Sequence, residues 1–554
     1  MHNNNAPSHH ASPGNTPSHN PRSHNAPSHN ALRSERRDVI VGLDAGTSVI
    51  KAVAFAGDGR ELAKTQCANQ VHHRPGGAVE QGLDDTWRAA RTTLDELFRQ
   101  HPELADRLGA IAVTGQGDGT WLIDDAGRPV GDAMLWLDNR SSDIVSHWRA
   151  SRAGPDSYRL TGTGLNQSIQ SGQLRWLKDH HPEQLERAAT VFHCKDWLYY
   201  CLTGQRATDP AEALWTYGDV KGGHYSEAVL AAYGLSEMRD KLPPIVDGSR
   251  HHAPLDGQLA QALGLCPGVP VVLAPVDMLA TALGAGVYEP GRRVACSIIG
   301  TTGAHLCVRE DARDIVLSNQ SCYTMPCVAP DTWVQLCSNM AATLNLEWFI
   351  KGMNEMLTAL GEAPMSTDGL LPRLDKALAA TEPGRLIYHP FICTNGERGP
   401  FFNPRARAQF LGLSAECTHL HMARAIYEGV AFAARDCYHA LEAHPEELRL
   451  TGGAAQSRTL CTILASVMGV PVRTLSRGET GAAGAAMVAS LCLGRHRDLA
   501  DACATWVTPF LAEDRVMPDP DLHNLYERLY GVYRRSYASA DGFWRHFERV
   551  RADT

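Results

Sequence analysis

Among 554 residues the chain contains no Gly-Lys dipeptide, and so no P-loop, which requires Gly-x-x-x-x-Gly-Lys-Ser/Thr. It contains no Cys-x-x-Cys pair either. Its 15 cysteines are scattered, which leaves a zinc ribbon or a thioredoxin-like site unsupported. Positive charge is not in surplus: Lys and Arg total 52 against 61 Asp and Glu, a formal net charge of -9. Nucleic-acid binding needs a concentrated basic face that this balance does not offer. A clean membrane span is also missing. The nearest candidate, Val269 to Val287, is interrupted by Pro270, Pro275 and a central Asp277, and a charge at mid-membrane is costly. A buried strand followed by a buried helix accounts for the same residues. No signal-peptide pattern is read and the chain is too large to need disulfide staples, so reduced thiols in a cytoplasm are expected.

What is present is ordinary globular composition, 44% hydrophobic and 20% charged, with enough chain for two hydrophobic cores. Residues 1–36 stand apart. Asn-Ala-Pro-Ser-His recurs at Asn5–His9 and Asn25–His29, in a tract too polar to offset its chain entropy, and a disordered tail is expected there. Its histidines could collect metal ions or simply remain solvated.

Order is expected from Arg37. Val39, Ile40, Val41 and Leu43 read as a strand buried on both faces, ending at the turn Ala45-Gly46-Thr47-Ser48. Val49 to Phe55 reads as a returning strand, Gly57-Asp58-Gly59 as a turn, and a third strand starts near Glu61. Leu83, Trp87, Leu94, Leu97 and Phe98 fall at helical spacing and predict a helix over Leu83 to Gln100, followed by a strand at Ala110 to Thr114. The same grammar reappears later: Val294 to Ile299 is apolar, Gly300-Thr301-Thr302-Gly303 is a turn, and His305 to Val308 resumes a strand. This repetition predicts a duplicated three-layer α/β unit, divided near Gly286 to Pro290, with a cleft between the halves.

Four constellations carry chemistry. Asp44 ends a buried strand, where an unpaired carboxylate is costly. The turn after it, Gly46-Thr47-Ser48, offers N–H groups and hydroxyls that can cradle phosphate while Asp44 holds Mg²⁺; an aspartate satisfying its own turn is the plainer reading. Gly300-Thr301-Thr302-Gly303 is weak alone, but two such turns opening two similar halves would face each other across one polyphosphate. Thr451-Gly-Gly-Ala-Ala-Gln456 lies between a strand and a helix, so adenosine or phosphate could dock at Gly452, Gly453, Ala454 and Gln456; a strand-to-helix loop needing positive φ is the plainer reading of the glycines. Asp277 stands where a strand gives way to a helix, a natural N-cap. The same place favours an ionised carboxylate able to accept a hydroxyl proton.

From about Arg37 onward the chain resembles the FGGY carbohydrate kinases, a branch of the actin/sugar-kinase superfamily with two ribonuclease-H-like domains. The resemblance rests on separated motifs in order. They are Asp44-Ala-Gly-Thr, Val79-Glu-Gln81, Thr114-Gly-Gln-Gly117, Leu135-Trp-Leu-Asp-Asn-Arg140, Cys194-Lys-Asp-Trp197, Pro275-Val-Asp277, Gly300-Thr-Thr-Gly303, Asn395-Gly-Glu-Arg398 and Thr451-Gly-Gly-Ala454. It implies an α/β fold with an N-terminal domain over 37–286 carrying the polyol and phosphate site, and a C-terminal domain over 287–554 carrying the adenosine site. Asp277 matches the catalytic base and Asp44 the metal-associated aspartate. Gly46 to Ser48 and Gly300 to Gly303 match the phosphate turns, Lys51 a basic residue near the phosphates, and Gly452 to Ala454 with Gln456 the adenosine motif. Gln116, Gly117, Asp118, Trp136, Asp277 and Met278 fall where relatives touch the acceptor.

ATP and Mg²⁺ are the implied cofactors and a short sugar or polyol the implied partner; relatives are often homodimers. The stretch Thr114 to Asp124, with His193 to Tyr199 and Ala207 to Pro210, looks most like the erythritol kinase branch. Asp118 could accept from two polyol hydroxyls, Trp136 or Trp121 could wall the carbon chain, and glycine at 117 changes the pocket's shape. A ketopentose kinase shares every catalytic motif and stays open as an alternative, as does a non-catalytic ATP and sugar sensor.

Overall fold

The computed structural model describes residues 37–552; the tail expected over 1–36 lies outside the described residues. The chain begins with β1 (Val39–Ala45), β2 (Val49–Phe55) and β3 (Glu61–Ala68), an antiparallel meander. α1 (Leu83–Gln100) follows with the bounds its periodicity predicts, burying Leu83, Leu94, Leu97 and Phe98. Next comes β4 (Leu108–Gly115), parallel to β1. After α2 (Cys194–Thr203) and α3 (Pro210–Tyr217), β5 (Ala253–Pro254) and β6 (Pro270–Leu273) complete one six-stranded sheet in the order β5-β6-β4-β1-β2-β3. α4 (Asp277–Gly284) leaves its end.

The second half repeats the plan. β7 (Val294–Ile299) and β8 (Gly303–Arg309) form the expected hairpin, followed by β9 (Tyr323–Pro326) and β10 (Trp333–Asn339). Three helices follow, α5 (Leu344–Ala359), α6 (Thr367–Ala379) and α7 (His419–Ala440). Then come β11 (Glu447–Thr451), α8 (Arg458–Met468), β12 (Val472–Arg473) and α9 (Thr480–Cys492). The second six-stranded sheet runs β9-β10-β8-β7-β11-β12. Setting aside the edge strands β5 and β9, each sheet has its strands in the spatial order third, second, first, fourth, fifth. That shared permutation is the duplication the two Gly/Thr turns announced, and it gives the two-domain actin/ribonuclease-H-like fold.

β1 and β4 are buried almost completely along their length because helices cover both faces, which explains their unbroken apolar runs. A large hydrophobic cluster lies under the sheet of each half, a further one around Leu174 and Leu230 belongs to the first half, and another, built on Leu283, Ala482, Ala486 and Met487, lies between the halves. Here α4 and α9 meet at glycines: a β-carbon on Gly484 would collide with the Ala280 carbonyl, and one on Gly284 with the Thr480 carbonyl. This close pairing sets the first turn of α9 against the second half of α4. The segments after β1, β4, β6, β7 and β11 all emerge at the carboxyl ends of parallel strands, the edge where α/β sheets bind ligands. Among the described residues no helix is long and apolar enough to cross a membrane.

Candidate active site

A cavity of about 160 Å³ lies between the halves. The first half lines it with Thr47, Gln116, Gly117, Asp118, Trp136, Asp277 and Met278, and the second with Thr302, Gly303, Tyr323, Asn339 and Arg398, among others. It is small beside the roughly 300–1,000 Å³ of drug-sized pockets. A chain of a few carbons fits that scale.

One wall is a fixed polar relay. Trp136 Nε1 donates to Thr47 Oγ1 at 2.9 Å, and Thr47 Oγ1 donates to Gln116 Oε1 at 2.9 Å. Gln116 Nε2 donates to Gln81 Oε1 at 2.7 Å, and Gln81 Nε2 closes the loop on the Thr47 carbonyl at 2.7 Å. Gln81 and Trp136 belong to two motifs far apart in the chain, and their common purpose is to orient Thr47 and Gln116. Trp121 does not join them; it is fully buried in the first core.

Asp118 differs in kind. It is buried with φ of 54°, a left-handed conformation uncommon outside glycine, and its Oδ1 has no partner. Its Oδ2 has only a long contact of 3.5 Å from Asn166 Nδ2. Burial pushes the carboxyl up to about 6, partly offset by the Arg398 charge and then by His193. The backbone is held by Glu212, whose Oε1 accepts the Asp118 N–H at 3.0 Å. Glu212 belongs to a buried ion cluster in which Lys195 meets Glu212 at 2.5 Å, Asp209 at 2.8 Å and Asp196 at 2.9 Å. That cluster gives the Cys194-Lys-Asp-Trp197 motif its place beneath the cavity. Gly117 acts through packing: a β-carbon there would stand 2.7 Å from Val276 Cγ2 and 3.1 Å from Trp215 Cη2.

Asp277 is the first residue of α4, one position inside the cap that its sequence context suggested; Val276 takes the cap itself. Its Oδ1 accepts the Met278 N–H at 2.7 Å. Burial, then the charge of Asp44, holds its carboxyl well above the usual range. Asp44 lies against the first turn of α9: a β-carbon on Gly481 would be 2.6 Å from Asp44 Oδ2, and 3.0 Å from Thr281 Oγ1 of α4. Burial raises Asp44 to about 6, with Lys51 opposing and Glu479 adding to the rise. Lys51 itself is bound to Glu479 at 2.8 Å, an ion pair joining β2 to the start of α9.

A second cavity of about 1200 Å³ opens in the second half, lined by Gly453, Ala454 and Gln456 together with Leu346, Ile350, Asp375 and Tyr427. Gly452 has φ of 88°, and a β-carbon on it would press the Ile299 carbonyl at 2.5 Å, so positive φ and close approach both require glycine. The Gly300–Gly303 turn stands between the two cavities. Thr302 and Gly303 line the small one, while the Gly300 and Thr301 carbonyls accept from Thr343 at 2.9 Å and Ala342 at 2.8 Å, two residues that line the large one. Gly46 and Ser48 sit in the opposite turn, where Asn69 donates to the Gly46 carbonyl at 3.2 Å and the Ser48 carbonyl at 2.8 Å. Neither they nor Lys51 line either of these two cavities.

The chain matches the FGGY family of carbohydrate kinases, N-terminal domain, over residues 39–284 and C-terminal domain over 295–493. It belongs to that family. The kinase is 42% identical over 92% of its length to the erythritol kinase of Brucella abortus, covering 98% of that protein. It is 29% identical to the xylulose kinase of Escherichia coli over 90% of this chain and 98% of that one. Among solved structures it resembles a "xyloylose kinase" from Brucella ovis with a TM-score of 0.79 and 26% identity, covering 91% of this chain and 100% of that chain. The protein is thus an ATP-dependent sugar or polyol kinase.

Sequence reasoning missed most of the second half's share of the small cavity, Thr302 and Gly303 excepted. Tyr323, Asn339 and Met340 come from β9, β10 and the residue after it, with no Gly/Thr turn or acidic motif to mark them. Asn166, which donates to Tyr323 OH at 2.6 Å, lies in an unpatterned loop. Asp375, bonded to Ser457, is likewise an ordinary helix residue until α6 is docked.

Proposed function

We propose that the kinase transfers the γ-phosphoryl group of ATP to a hydroxyl of a short acyclic polyol, erythritol, with Asp277 as general base. One observation carries this reading: a single small cavity holds Asp277, an unpartnered buried Asp118 oxygen and the Thr302-Gly303 turn together. The 42% identity to an erythritol kinase supports the choice of acceptor.

In this reading residues 37–286 bind the acceptor and one side of the triphosphate, and residues 287–554 bind adenosine in the large cavity. The acceptor lies along Trp136, its distal hydroxyls on Asp118 and its reacting hydroxyl on Asp277. The raised proton affinity of Asp277 suits it to take that proton as the oxygen attacks phosphorus. The turns Gly46–Ser48 and Gly300–Gly303 fix the phosphates from either side, and the first turns of α4 and α9 add favourable dipoles. Phosphoryl transfer has a loose transition state, so alignment and charge stabilisation supply most of the acceleration.

Asp44 fits Mg²⁺: its part-buried carboxylate has no bound cation, because Lys51 is taken by Glu479. No cluster of three or more ligating side chains occurs among the described residues, and magnesium bound to a nucleotide commonly uses only one or two carboxylates plus phosphate oxygens. When bound, the ion neutralises charge on those oxygens.

ADP release measured across four- and five-carbon polyols and ketoses tests the reading. The highest kcat/KM is expected with erythritol; a higher value with xylulose or L-xylulose would replace the acceptor.

A further inference from the structure

The Asn395-Gly-Glu-Arg398 turn belongs to the second half, yet its last side chain lines the cavity that Asp118 and Asp277 enter from the first. Glu397 fixes it there. Its buried Oε1 accepts the N–H groups of Met340 and Arg398, both at 2.9 Å, and that of Gly399 at 3.4 Å. The Arg398 guanidinium stands 5.7 Å from the centre of the Trp136 ring, and its Nε reaches the Met340 sulfur at 2.7 Å. Among the described residues, then, this cation is met by a sulfur, an aromatic face and the Tyr323 hydroxyl, and forms no ion pair with a carboxylate. Across the cavity Asp118 Oδ1 is buried with no donor.

A guanidinium only donates hydrogen bonds and an ionised carboxylate only accepts them. A hydroxyl does both, so one alcohol chain can satisfy the two groups at once. A carbonyl oxygen satisfies the guanidinium alone and sets a second acceptor against the carboxylate, an arrangement that binding penalises strongly. We propose that Arg398 is a substrate-binding residue delivered by the second half, which together with Asp118 brackets the hydroxyls of the acceptor, so that the acceptor itself joins the two halves across the cleft. This rests on the polyol reading above. Arg398 does not line the large cavity assigned to adenosine, so its influence on adenosine binding passes through the acceptor. Acceptor and nucleotide therefore strengthen each other's binding, by the same factor in both directions.

The test is calorimetric titration of the full chain with a non-hydrolysable ATP analogue, with and without saturating erythritol, alongside steady-state kinetics. In the wild type, erythritol should tighten the analogue at least about five-fold. In Arg398→Met the factor should fall to about one. The KM for erythritol should rise about 10–100-fold, the loss expected for one charge-assisted hydrogen bond, and analogue affinity without erythritol should stay as in the wild type. Arg398→Lys keeps the charge without the fork and should lie between. Wild-type coupling and KM in both variants, with unchanged melting temperature, would overturn the bracket. Wild-type turnover of a ketopentose and not of erythritol would instead overturn the acceptor assignment. Coupling to that ketose, abolished by Arg398→Met, would then still support the bracket.

Discussion

The carboxyl of Asp44, at the end of β1, lies close enough to that of Asp277, at the start of α4, for its charge to raise the proton affinity of Asp277. Two acidic groups from distant parts of the chain thus share one electrostatic environment at the cleft floor. Replacing Asp277 by Asn should lower turnover by about 10²–10⁴-fold, the scale for a lost acid–base group, and leave ATP binding nearly intact. Stopped-time ADP release and nucleotide titration check both parts.

The same relationship fixes a pH dependence. Asp277 must be ionised to accept a proton, and burial with Asp44 holds its carboxyl well above the usual range, so the acid limb of kcat/KM should lie above that of an ordinary aspartate. Removing the Asp44 charge favours the ionised form of Asp277. The residual activity of Asp44→Asn should therefore show an acid limb moved to lower pH, read from a kcat/KM profile.

Asp118 should trade stability for binding. Its carboxyl, raised from 3.8 to about 6 by burial, holds a proton more tightly in the native state than in the unfolded chain. Stability from that group is present below about pH 4 and is lost as pH rises through 6, so at neutral pH the ionised side chain is a cost. Asp118→Asn, which tolerates the left-handed backbone, should gain at most about 3 kcal/mol at pH 7, less at pH 4, while polyol KM rises. Urea denaturation at the two pH values measures this.

Gly117→Ala should be destabilising by about 1–3 kcal/mol, the usual penalty for overpacking, because Val276 and Trp215 leave no room for a β-carbon. Since Val276 precedes Asp277, turnover should fall as well. Denaturant midpoints and kcat together report it.

Lys195→Met should cost about 3–5 kcal/mol, because it strands Asp196, Asp209 and Glu212 without their shared cation. A variant that folds should bind polyol weakly, since Glu212 no longer holds the Asp118 backbone at its set place. Chemical denaturation and KM check the two consequences.

Local pattern made the skeleton legible. β1, β2, α1, β7 and the hairpin turns announce themselves through apolar periodicity and Gly/Thr punctuation, because burial of the strands on both faces and of α1 on one demands those patterns. The motif glycines were legible as positions, but their reasons were not: Gly117 exists for Val276 and Trp215, and Gly452 for Ile299, partners that only tertiary packing supplies. The same holds for Lys51, whose bond to Glu479 links residues from opposite halves. Tyr323, Asn339 and Arg398 reach the cavity because two domains face each other, and no local spacing in the chain encodes that.

The most direct measurement is a crystal structure with erythritol and a non-hydrolysable ATP analogue bound together. The account predicts one erythritol hydroxyl within hydrogen-bond distance of Asp277 and in line with the terminal phosphate, other hydroxyls on Asp118, and that phosphate between the Gly46–Ser48 and Gly300–Gly303 turns. An acceptor bound away from Asp277, or a triphosphate that leaves either turn unoccupied, would contradict it.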